Sequence, residues 1–353
     1  LKWKSGDTRP AEAKQTTKFI NHLKPKTTMT YLENSKQYTG SDLENIFFRP
    51  MLTGESAQDL GVRVLYNMPQ PTHVQLWDGQ RNILQKFTSA GWAGGKAATK
   101  YEKTVNLNRV KAELGFSAAN YFSMVYEKVS SLVNTHMDDL SGTELEQAET
   151  ALFKQALAEN IRVTMWIGDT SAASGYNTFD GLLKRINGLV DDDGVYNFSY
   201  QAAALEDPAY VVELFDKLWA GADPRIPGLK ADDRLAYFVS SDIYRLYEKY
   251  LDAKGADAAY ADAMNGRRTL AYHGIPVVDV RLGSYLGATS FRQSFVMLTD
   301  RRNLVLAVNT ADMPGNEVRM WYNPDEMENR QRAVFMAGCD VLDEGLVAFA
   351  SRI

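Results

Sequence analysis

The sequence predicts an α+β protein, and three patterns lead to that prediction. Short stretches alternate apolar and polar residues with the period of a strand, as in Val62–Tyr66. One long segment repeats its apolar residues with the helical period. Further along, short apolar runs follow helical segments. Of the 353 residues 45% are hydrophobic and 24% charged, which is typical of one large globular domain or two closely associated ones.

The first 40 residues are polar, rich in Thr and Lys, and without periodicity, so we expect an extended arm that has no core of its own. Order is expected to begin near Ser41, where a capping-box pattern ending at Glu44 precedes the run Ile46–Pro50.

A protruding hairpin is predicted next. Strand-like alternation at Val74 and Leu76 returns in Thr104–Leu114, and residues 78–101 between them hold mostly Gly, Ala, Thr and Lys. A long, thin hairpin of this kind is stable only against another surface, which is a first indication of assembly.

The strongest predicted helix runs from about Thr143 to Ile167, after a capping box formed by Ser141 and Glu144. At about 1.5 Å per residue it would be roughly 37 Å long. Gly168 and Asp169 end it. One apolar stripe is expected from its spacing of three, four or seven, formed by Leu145, Ala148, Leu152, Ala156, Val163 and Ile167.

The rest of the chain is predicted to mix helices and strands. Helices are expected from Asp207-Pro208 through Val212, Phe215 and Trp219, and over Ile243–Ala253 behind the cap Ser240–Asp242. Strands are expected at Leu235–Val239, Gly274–Val280, Val318–Tyr322, Arg332–Cys339 and Leu346–Ala350, with a hairpin of Phe295–Leu298 and Leu304–Val308 around Asp300–Arg302. The large side chains Trp166, Phe215, Trp219, Phe238 and Trp321 are expected in the core.

The net charge of −5 is unevenly distributed. Two basic segments on an acidic body favour arms that lie on acidic neighbours or face a polyanion, although solvated lysines on extended segments would look the same. The first segment holds Lys2, Lys4, Arg9, Lys14, Lys18, Lys24, Lys26 and Lys36 against Asp7, Glu12 and Glu33, and the second holds Arg81, Lys86, Lys96, Lys100 and Lys103.

Motifs that would indicate chemistry fail on inspection. The glycine-rich segment 90–97 has Ala90 and Ala97 where a phosphate-binding loop needs Gly and Ser or Thr. Asp191–Asp193 lacks the alternating spacing and distal Glu of a calcium loop. Cys339 is the one cysteine, which excludes an internal disulfide.

The remaining candidates are equally weak. The histidines His22, His73, His136 and His273 show no ligand spacing. The carboxylates Asp340, Asp343 and Glu344 have no adjacent His or Lys in sequence. No apolar run approaches the roughly 20 residues of a membrane helix. We expect no catalytic residue, no metal, no cofactor and no membrane partner, and a protein that acts by contact.

The order of these segments resembles the Hong Kong 97 capsid-protein family over nearly all residues after about 45. The most specific segment is Tyr272–Val278, similar to an aromatic-x-Gly-x-Pro-Val-Val motif. Further segments that resemble the family are Ile46–Pro50, Trp77–Lys103, Thr143–Ile167, Gly168-Asp169 with Phe179–Leu182, Leu235–Tyr244 and Asn329–Arg352.

The resemblance implies a division of the chain into named parts. These are an N-arm (1–45), entry strands of a peripheral or P-domain (46–76), an extended or E-loop (77–103), P-domain with the spine helix 143–167 (104–174), an axial or A-domain (175–315), P-domain return strands and P-loop (316–344) and a final A-domain strand (345–353).

The resemblance also implies a function. A major capsid protein of a tailed phage forms hexamers and pentamers of an icosahedral shell around packaged double-stranded DNA. Its partners would be further copies, a portal, possible decoration or scaffolding proteins, and DNA held by non-specific contact. It would assemble in the host cytoplasm and reside in the virion. The start at Leu1 fits loss of a leading segment to a viral protease, although a shortened sequence would look the same.

Contact residues between subunits follow from the same resemblance. The expected set is Arg81, Lys86, Trp92, Lys96, Lys100 and Lys103 of the E-loop, Lys14, Lys18, Lys24 and Lys26 of the N-arm, and Asp325, Glu326 and Arg330 of the P-loop.

Some family members cross-link an E-loop Lys to a P-domain Asn with a nearby Glu as base. Lys86, Lys96 or Lys100 could supply the amine, but Ala333 falls where the Asn would be, and Asp340 at the Glu. We therefore predict no self-catalysed cross-link.

Two other functions stay open on the sequence. An encapsulin-type nanocompartment shell shares the implied fold, although its chains are usually shorter. An α/β enzyme with an unrecognised site belongs to a different class, and the lack of a nucleophile–base pattern argues against it.

Overall fold

The computed structural model describes residues 36–39, 45, 61–68, 72–77, 100–117, 144–189, 195–255, 260–261, 269–283, 285–286, 294–309, 316–323, 325–326 and 328–352. Its strands are β1 (Lys36–Tyr38), β2 (Arg63–Tyr66), β3 (Thr72–Trp77), β4 (Lys100–Val105), β5 (Asn108–Ser117), β6 (Tyr196–Tyr200), β7 (Leu235–Val239), β8 (Tyr260–Ala261), β9 (Thr269–Tyr272), β10 (Ile275–Asp279), β11 (Phe295–Asp300), β12 (Leu304–Asn309), β13 (Glu317–Asn323), β14 (Glu328–Val341) and β15 (Val347–Arg352). Its α-helices are α1 (Glu144–Ile167), α2 (Leu182–Gly188), α3 (Tyr210–Gly221), α4 (Arg225–Leu229) and α5 (Ser241–Lys254).

Within these ranges the strands form two large sheets and one hairpin. The first sheet has six strands in the order β1-β13-β14-β12-β2, and β5 pairs with β14 along its other edge. The second sheet has seven strands in the order β6-β15-β11-β7-β10-β9-β8. Strands β3 and β4 pair only with each other. The mixture of helices and sheets agrees with the predicted α+β class.

The long predicted helix is confirmed, because α1 has 24 residues and is thus about 36 Å long. Its buried face differs from the predicted stripe. Phe153, Leu157 and Ile161 are buried, whereas Leu152 is 44% exposed. A shift of one residue rotates the face by about 100°, and the larger side chains of the neighbouring stripe occupy the core.

From Ile161 onward α1 is buried all round, so Val163 and Ile167 lie in the core as predicted. Trp166 packs between Phe238 and Phe295, with ring centroids 5.7 Å and 6.3 Å away. One continuous apolar core therefore joins α1 to both sheets.

A second core lies between the seven-stranded sheet and the helices α3 and α5. Phe215 is fully buried here as predicted, and its ring contacts those of Tyr237, Tyr247 and Tyr272. Trp219 is only partly buried at the edge of this core, and Trp321 is partly buried on the six-stranded sheet, so both are less enclosed than predicted.

The predicted hairpin around Asp300–Arg302 is wrong. Strand β11 pairs with β7 and β15 in the seven-stranded sheet, whereas β12 pairs with β14 and β2 in the six-stranded sheet. A single 3-10 turn, Arg301–Asn303, carries the chain from one sheet to the other. Both strands are buried along their whole length, so each needs strand partners on both edges and cannot be satisfied by a two-stranded hairpin.

Two predicted helix starts also need correction. The carboxylate of Asp207 accepts a hydrogen bond from the amide of Ala209 at 2.9 Å, which makes a turn, and α3 begins only at Tyr210. Ser240 is the N-cap residue of α5 as predicted, but the helix already begins at Ser241, and the Ser240 side chain makes no capping bond, because its hydroxyl accepts from the amide of Phe295 at 3.1 Å.

The segment Tyr272–Val278 forms a tight hairpin of β9 and β10. His273 and Gly274 connect the strands with φ angles of 49° and 79°. Two consecutive positive φ values match the right-handed twist of the strands, and glycine adopts them without a Cβ clash. The predicted strands Leu235–Val239, Val318–Tyr322 and Arg332–Cys339 are confirmed within β7, β13 and β14. The predicted strand Leu346–Ala350 is confirmed as β15 from Val347 onward, because Leu346 ends a 3-10 turn.

Candidate inter-subunit contact surfaces

The β3–β4 hairpin is the first candidate surface. Its strands pair antiparallel from Thr72 opposite Val105 to Trp77 opposite Lys100. The hairpin is present as predicted, but its return strand is Lys100–Val105, whereas most of the predicted return strand Thr104–Leu114 lies in β5 and pairs with β14. The base packs on the six-stranded sheet, because Val74 and Val105 lie in one buried cluster with residues of β2 and β12. Beyond Trp77 and Lys100 the tip, with Arg81, Lys86, Trp92 and Lys96, lies outside the described residues, as does the glycine-rich segment 90–97.

An ion pair ties this hairpin to the body of the same chain. The Nζ atom of Lys103 donates to Oε1 of Glu344 at 2.6 Å, and the two side chains are 31% and 41% exposed. Lys103, predicted to contact a neighbouring subunit, thus already has an anionic partner 241 positions away. Lys100 begins β4, opposite the last residue of β3.

The carboxylate cluster near residue 340 is divided among three cations. Asp343 accepts from Arg225 at 2.7 Å, and Asp340 faces Arg185 at 3.3 Å. With Lys103 on Glu344, each of these acids has a cationic partner that is distant in sequence, although no His or Lys is adjacent to them in the chain. Burial raises the pKa of Asp340, against the opposing effect of Arg185.

The turn between β13 and β14 contains the predicted P-loop residues. Asp325 and Glu326 are exposed, and Asn323 pairs with Glu328 at the ends of the strands. Arg330 forms ion pairs with Glu326 and, at 3.4 Å, with Glu328. The structure therefore brings Glu326 and Arg330 together, and the turn presents a hydrogen-bonded surface on which both charge signs meet.

One surface was not predicted from the sequence, and it lies on strands β13 and β14 of the six-stranded sheet. Arg332 donates to Glu317 at 3.0 Å and lies over the ring of Trp321, 5.7 Å from its centroid. Arg319 reaches the same carboxylate at 3.2 Å. Arg and Trp are enriched in protein interfaces, and cross-strand pairs of this kind stabilise a sheet. The period-two spacing of Glu317, Arg319 and Trp321 was the available signal.

The proposed position of a cross-linking Asn is enclosed. Ala333 is fully buried, and its side chain belongs to the core that includes α1. An amide at this position would point into the protein's own interior, out of reach of another subunit's Lys. The thiol of Cys339 is also buried, which raises its pKa to about 12 and keeps it protonated.

The N-arm is described only at its end. Residues Lys36–Tyr38 pair antiparallel with β13, from Lys36 opposite Met320 to Tyr38 opposite Val318. Lys14, Lys18, Lys24 and Lys26 lie outside the described residues, together with the predicted capping box at Ser41 and the run Ile46–Pro50. Asp191–Asp193, His22 and His136 lie outside them as well.

The described histidines have ordinary surroundings. His73 lies 2.7 Å from the carboxylate of Glu102 on the neighbouring strand and 3.2 Å from the hydroxyl of Thr104. His273 occupies the β9–β10 turn. Among the residues that the structure describes, no group of three His, Cys, Asp or Glu side chains could hold a metal ion. No helix in the same ranges has both the length and the apolar character of a membrane span.

The sequence matches no protein-family model and no curated protein. Solved structures give a different result. A chain of the satellite phage P4 procapsid, which includes the size determination (Sid) protein, is 11% identical, with 86% of this chain and 89% of that chain covered at a TM-score of 0.53. The two chains share a fold. This chain therefore has a fold found in a phage procapsid.

Weaker likenesses accompany this one. A chain from the capsid of the Myoviridae phage XM1 is 12% identical and covers 84% of this chain and 91% of its own length at a TM-score of 0.47. A chain of the SrpI encapsulin complex from Synechococcus elongatus PCC 7942 is 10% identical, with 81% and 84% covered at 0.44. At these scores neither adds to the argument.

Proposed function

We propose that this chain is the major capsid protein of a tailed double-stranded DNA phage, with the Hong Kong 97-like fold. The observation that carries the proposal is the shared fold with the P4 procapsid chain over 86% of this chain. The order of the sequence segments supports it independently, because the resemblance to the capsid family depends on residue motifs and their spacing alone.

In this proposal the chain forms hexamers and pentamers that close into an icosahedral shell around packaged DNA. The β3–β4 hairpin supports such a role, since its base is anchored on the six-stranded sheet and, among the described residues, β3 and β4 have only each other as strand partners. Strands with a free edge are suited to pairing with neighbours. A portal, scaffolding or decoration proteins, and DNA held by non-specific contact are the further partners proposed.

The proposal includes no catalytic step and no cofactor. Its support is the pairing of Asp340, Asp343 and Glu344, each of which faces its own cation. The division into N-arm, E-loop, P-domain and A-domain, and the contact residues assigned to them, are part of the same proposal.

Electron microscopy of the purified chain tests the proposal. We expect closed shells of regular diameter at high protein concentration, and dissociation into small oligomers on dilution or in denaturant. A chain that remains a compact monomer at high concentration would contradict it. Shells that enclose an enzyme and no DNA after isolation from the native source would instead favour the nanocompartment hypothesis.

A further inference from the structure

Helix α1 carries one charged residue inside its fully buried end. From Ile161 to Ile167 every residue is buried, and Arg162 is the one charged side chain in that segment, with 9% of its side chain exposed. A guanidinium in such a position is costly unless its donors are satisfied. Its partners therefore indicate what holds it there.

The planar guanidinium group of Arg162 donates hydrogen bonds in two directions. Along the helix, Nη2 and Nε donate to the two carboxylate oxygens of Glu159 at 2.7 Å and 3.1 Å. Across to the seven-stranded sheet, Nη1 donates to the carbonyl oxygens of Val280 and Arg281 at 2.8 Å and 3.3 Å. Those carbonyls belong to the corner that directly follows β10, where Arg281 has a positive φ of 55°.

Three more hydrogen bonds lie at the same corner. The hydroxyl of Tyr285 donates to Oε1 of Glu159 at 2.8 Å. The carboxylate of Asp279 accepts from the amide of Arg281 and from the hydroxyl of Ser241, both at 2.8 Å. A continuous polar network thus runs from α1 through the corner to the start of α5.

Helix α1 is also attached to the other sheet. Thr150 contacts the sulfur of Met320 on β13 at 3.6 Å, and the backbone carbonyl of Met165 accepts from the thiol of Cys339 on β14 at 3.5 Å. These contacts fix α1 to the six-stranded sheet, and Arg162 attaches it to the seven-stranded sheet. Trp166 of α1 adds an apolar contact with Phe238 and Phe295 of the seven-stranded sheet. Apolar surfaces can slide by small shear movements, whereas a bidentate guanidinium has a defined hydrogen-bond geometry.

We propose that the cluster of Glu159, Arg162 and Tyr285 is a joint that, together with the hydrogen-bonded turns at Asn303 and Asp343, sets the angle between the two sheets, and that this angle determines the curvature of the shell. The inference rests on the proposed function. If neighbouring copies make contacts through surfaces on both sheets, a change of angle within each copy changes the angle between copies. Loosening the joint should then alter shell diameter more than it alters the ability to assemble.

The test uses full-length chains with Arg162→Lys, Tyr285→Phe and Glu159→Gln. Lys keeps the positive charge but lacks the planar guanidinium group that donates to Glu159 and to the corner at once. Phe removes a single hydrogen bond and is the variant to use if Arg162→Lys does not fold. Arg245→Lys, an exposed change on α5, is the matched control. Electron microscopy gives the diameter distribution, and hydrogen exchange reports on the amides of residues 280–283.

We expect the joint variants to form shells with a shifted or broadened diameter distribution. Hydrogen exchange of the amides at 280–283 should become faster by about tenfold. Loss of one hydrogen bond to a charged group destabilises the closed state enough to raise the population of the open state by roughly that factor. The control should match the unmodified chain in both measurements. If the joint variants show unaltered shell diameters and unaltered exchange, the inference about the joint is wrong, while the proposed function still stands. If the unmodified chain forms no shells, the proposed function itself fails, and the inference with it.

Discussion

At the scale of single residues, Gly168 and Gly181 show why the turn after α1 has its composition. The amide of Gly181 donates to the carbonyl of Gly168 at 2.8 Å, so two backbones touch here. A Cβ on Gly168 would lie 2.2 Å from the carbonyl oxygen of Phe179, and one on Gly181 would lie 2.5 Å from the amide of Gly168. Any larger residue must push the two segments apart.

Gly168→Ala should therefore destabilise the chain by about 1 to 3 kcal/mol, the usual cost of overpacking. Gly188→Ala is the matched control, because a Cβ there meets nothing within 4 Å, at the last residue of α2. We expect it to be neutral or to stabilise by up to about 1 kcal/mol. Urea unfolding of both variants measures the difference, and equal midpoints would contradict the close-approach argument.

The neighbouring Asp169 is expected to make a contribution to the stability of the fold that depends on pH. Lys184 lies 2.7 Å from its carboxylate, and Ser171 donates to it, which together lower its pKa from 3.8 to about 2. The folded pKa is below the unfolded one, so the carboxylate stabilises the fold above pH 3.8 and loses that effect as the pH falls to about 2.

Asp169→Asn should lower the melting temperature at pH 7 and reduce the difference between pH 7 and pH 2. Because Asp169 is partly exposed, we expect the substitution to lower the free energy of unfolding at pH 7 by about 1 kcal/mol. Glu206→Gln, at an exposed position, serves as the control. A variant with the full pH dependence of the unmodified chain would show that Asp169 does not contribute in this way.

At the scale of elements, the ion pair of Lys103 and Glu344 predicts a local effect. Lys103→Met keeps most of the length of the side chain and removes the charge, so the hairpin base should open more often while its apolar contacts remain. We expect several-fold faster hydrogen exchange in residues 100–105, with a loss of global stability below about 1 kcal/mol because the pair is partly exposed.

Lys111→Met is the control for that change. Lys111 pairs with Glu113 at 2.8 Å within β5, so it should leave exchange in β4 unaltered. If Lys103→Met also leaves it unaltered, the ion pair does not hold the hairpin.

Periodicity revealed the elements more reliably than their partners. The length of α1 and the strands β7, β13, β14 and β15 follow from local pattern, because period and caps are local properties. To predict which face of α1 is buried, one must choose between two adjacent apolar stripes, one with Leu152 and one with Phe153. Only the packing of the whole core shows that the stripe with Phe153 is the buried one. Likewise the runs of β11 and β12 resemble a hairpin locally, and their division between two sheets is a property of the whole fold.

The contact surfaces were less accessible to sequence reasoning for the same reason. Lys103 and Glu344 are 241 positions apart, so no local pattern joins them. Arg332 and Glu317 pair across two strands, and their cooperation with Trp321 depends on the register of β13 against β14. The turn residues Glu326 and Arg330 are near neighbours in sequence; the family resemblance proposed them as contact residues, and the structure brings them together.

At the scale of the whole molecule, the enclosed Ala333 supports the prediction that the shells of the proposed function carry no covalent links between subunits. Denaturing electrophoresis of purified particles should show a single band at the mass of one chain. A ladder of multimers that persists after boiling in reductant would contradict this.

Ala333→Asn tests whether the lack of an Asn side chain at this position is the reason why no cross-links form. Because the position is fully buried in the core, we expect the polar side chain to cost about 1 to 3 kcal/mol and to produce no links. Glu206→Asn, at an exposed position, is the matched control for a change that the fold should tolerate. Cross-linked bands in Ala333→Asn would mean that the strand is accessible from outside.

The position of β15 has a consequence for when copies can join one another. This strand, Val347–Arg352, lies inside the seven-stranded sheet between β6 and β11, so that sheet is incomplete until residue 352 is available. The six-stranded sheet likewise pairs residue 36 with residue 320. Such long-range closure slows folding. A chain still being translated therefore has neither sheet complete, and any contact that requires a finished sheet can form only after residue 352 is available.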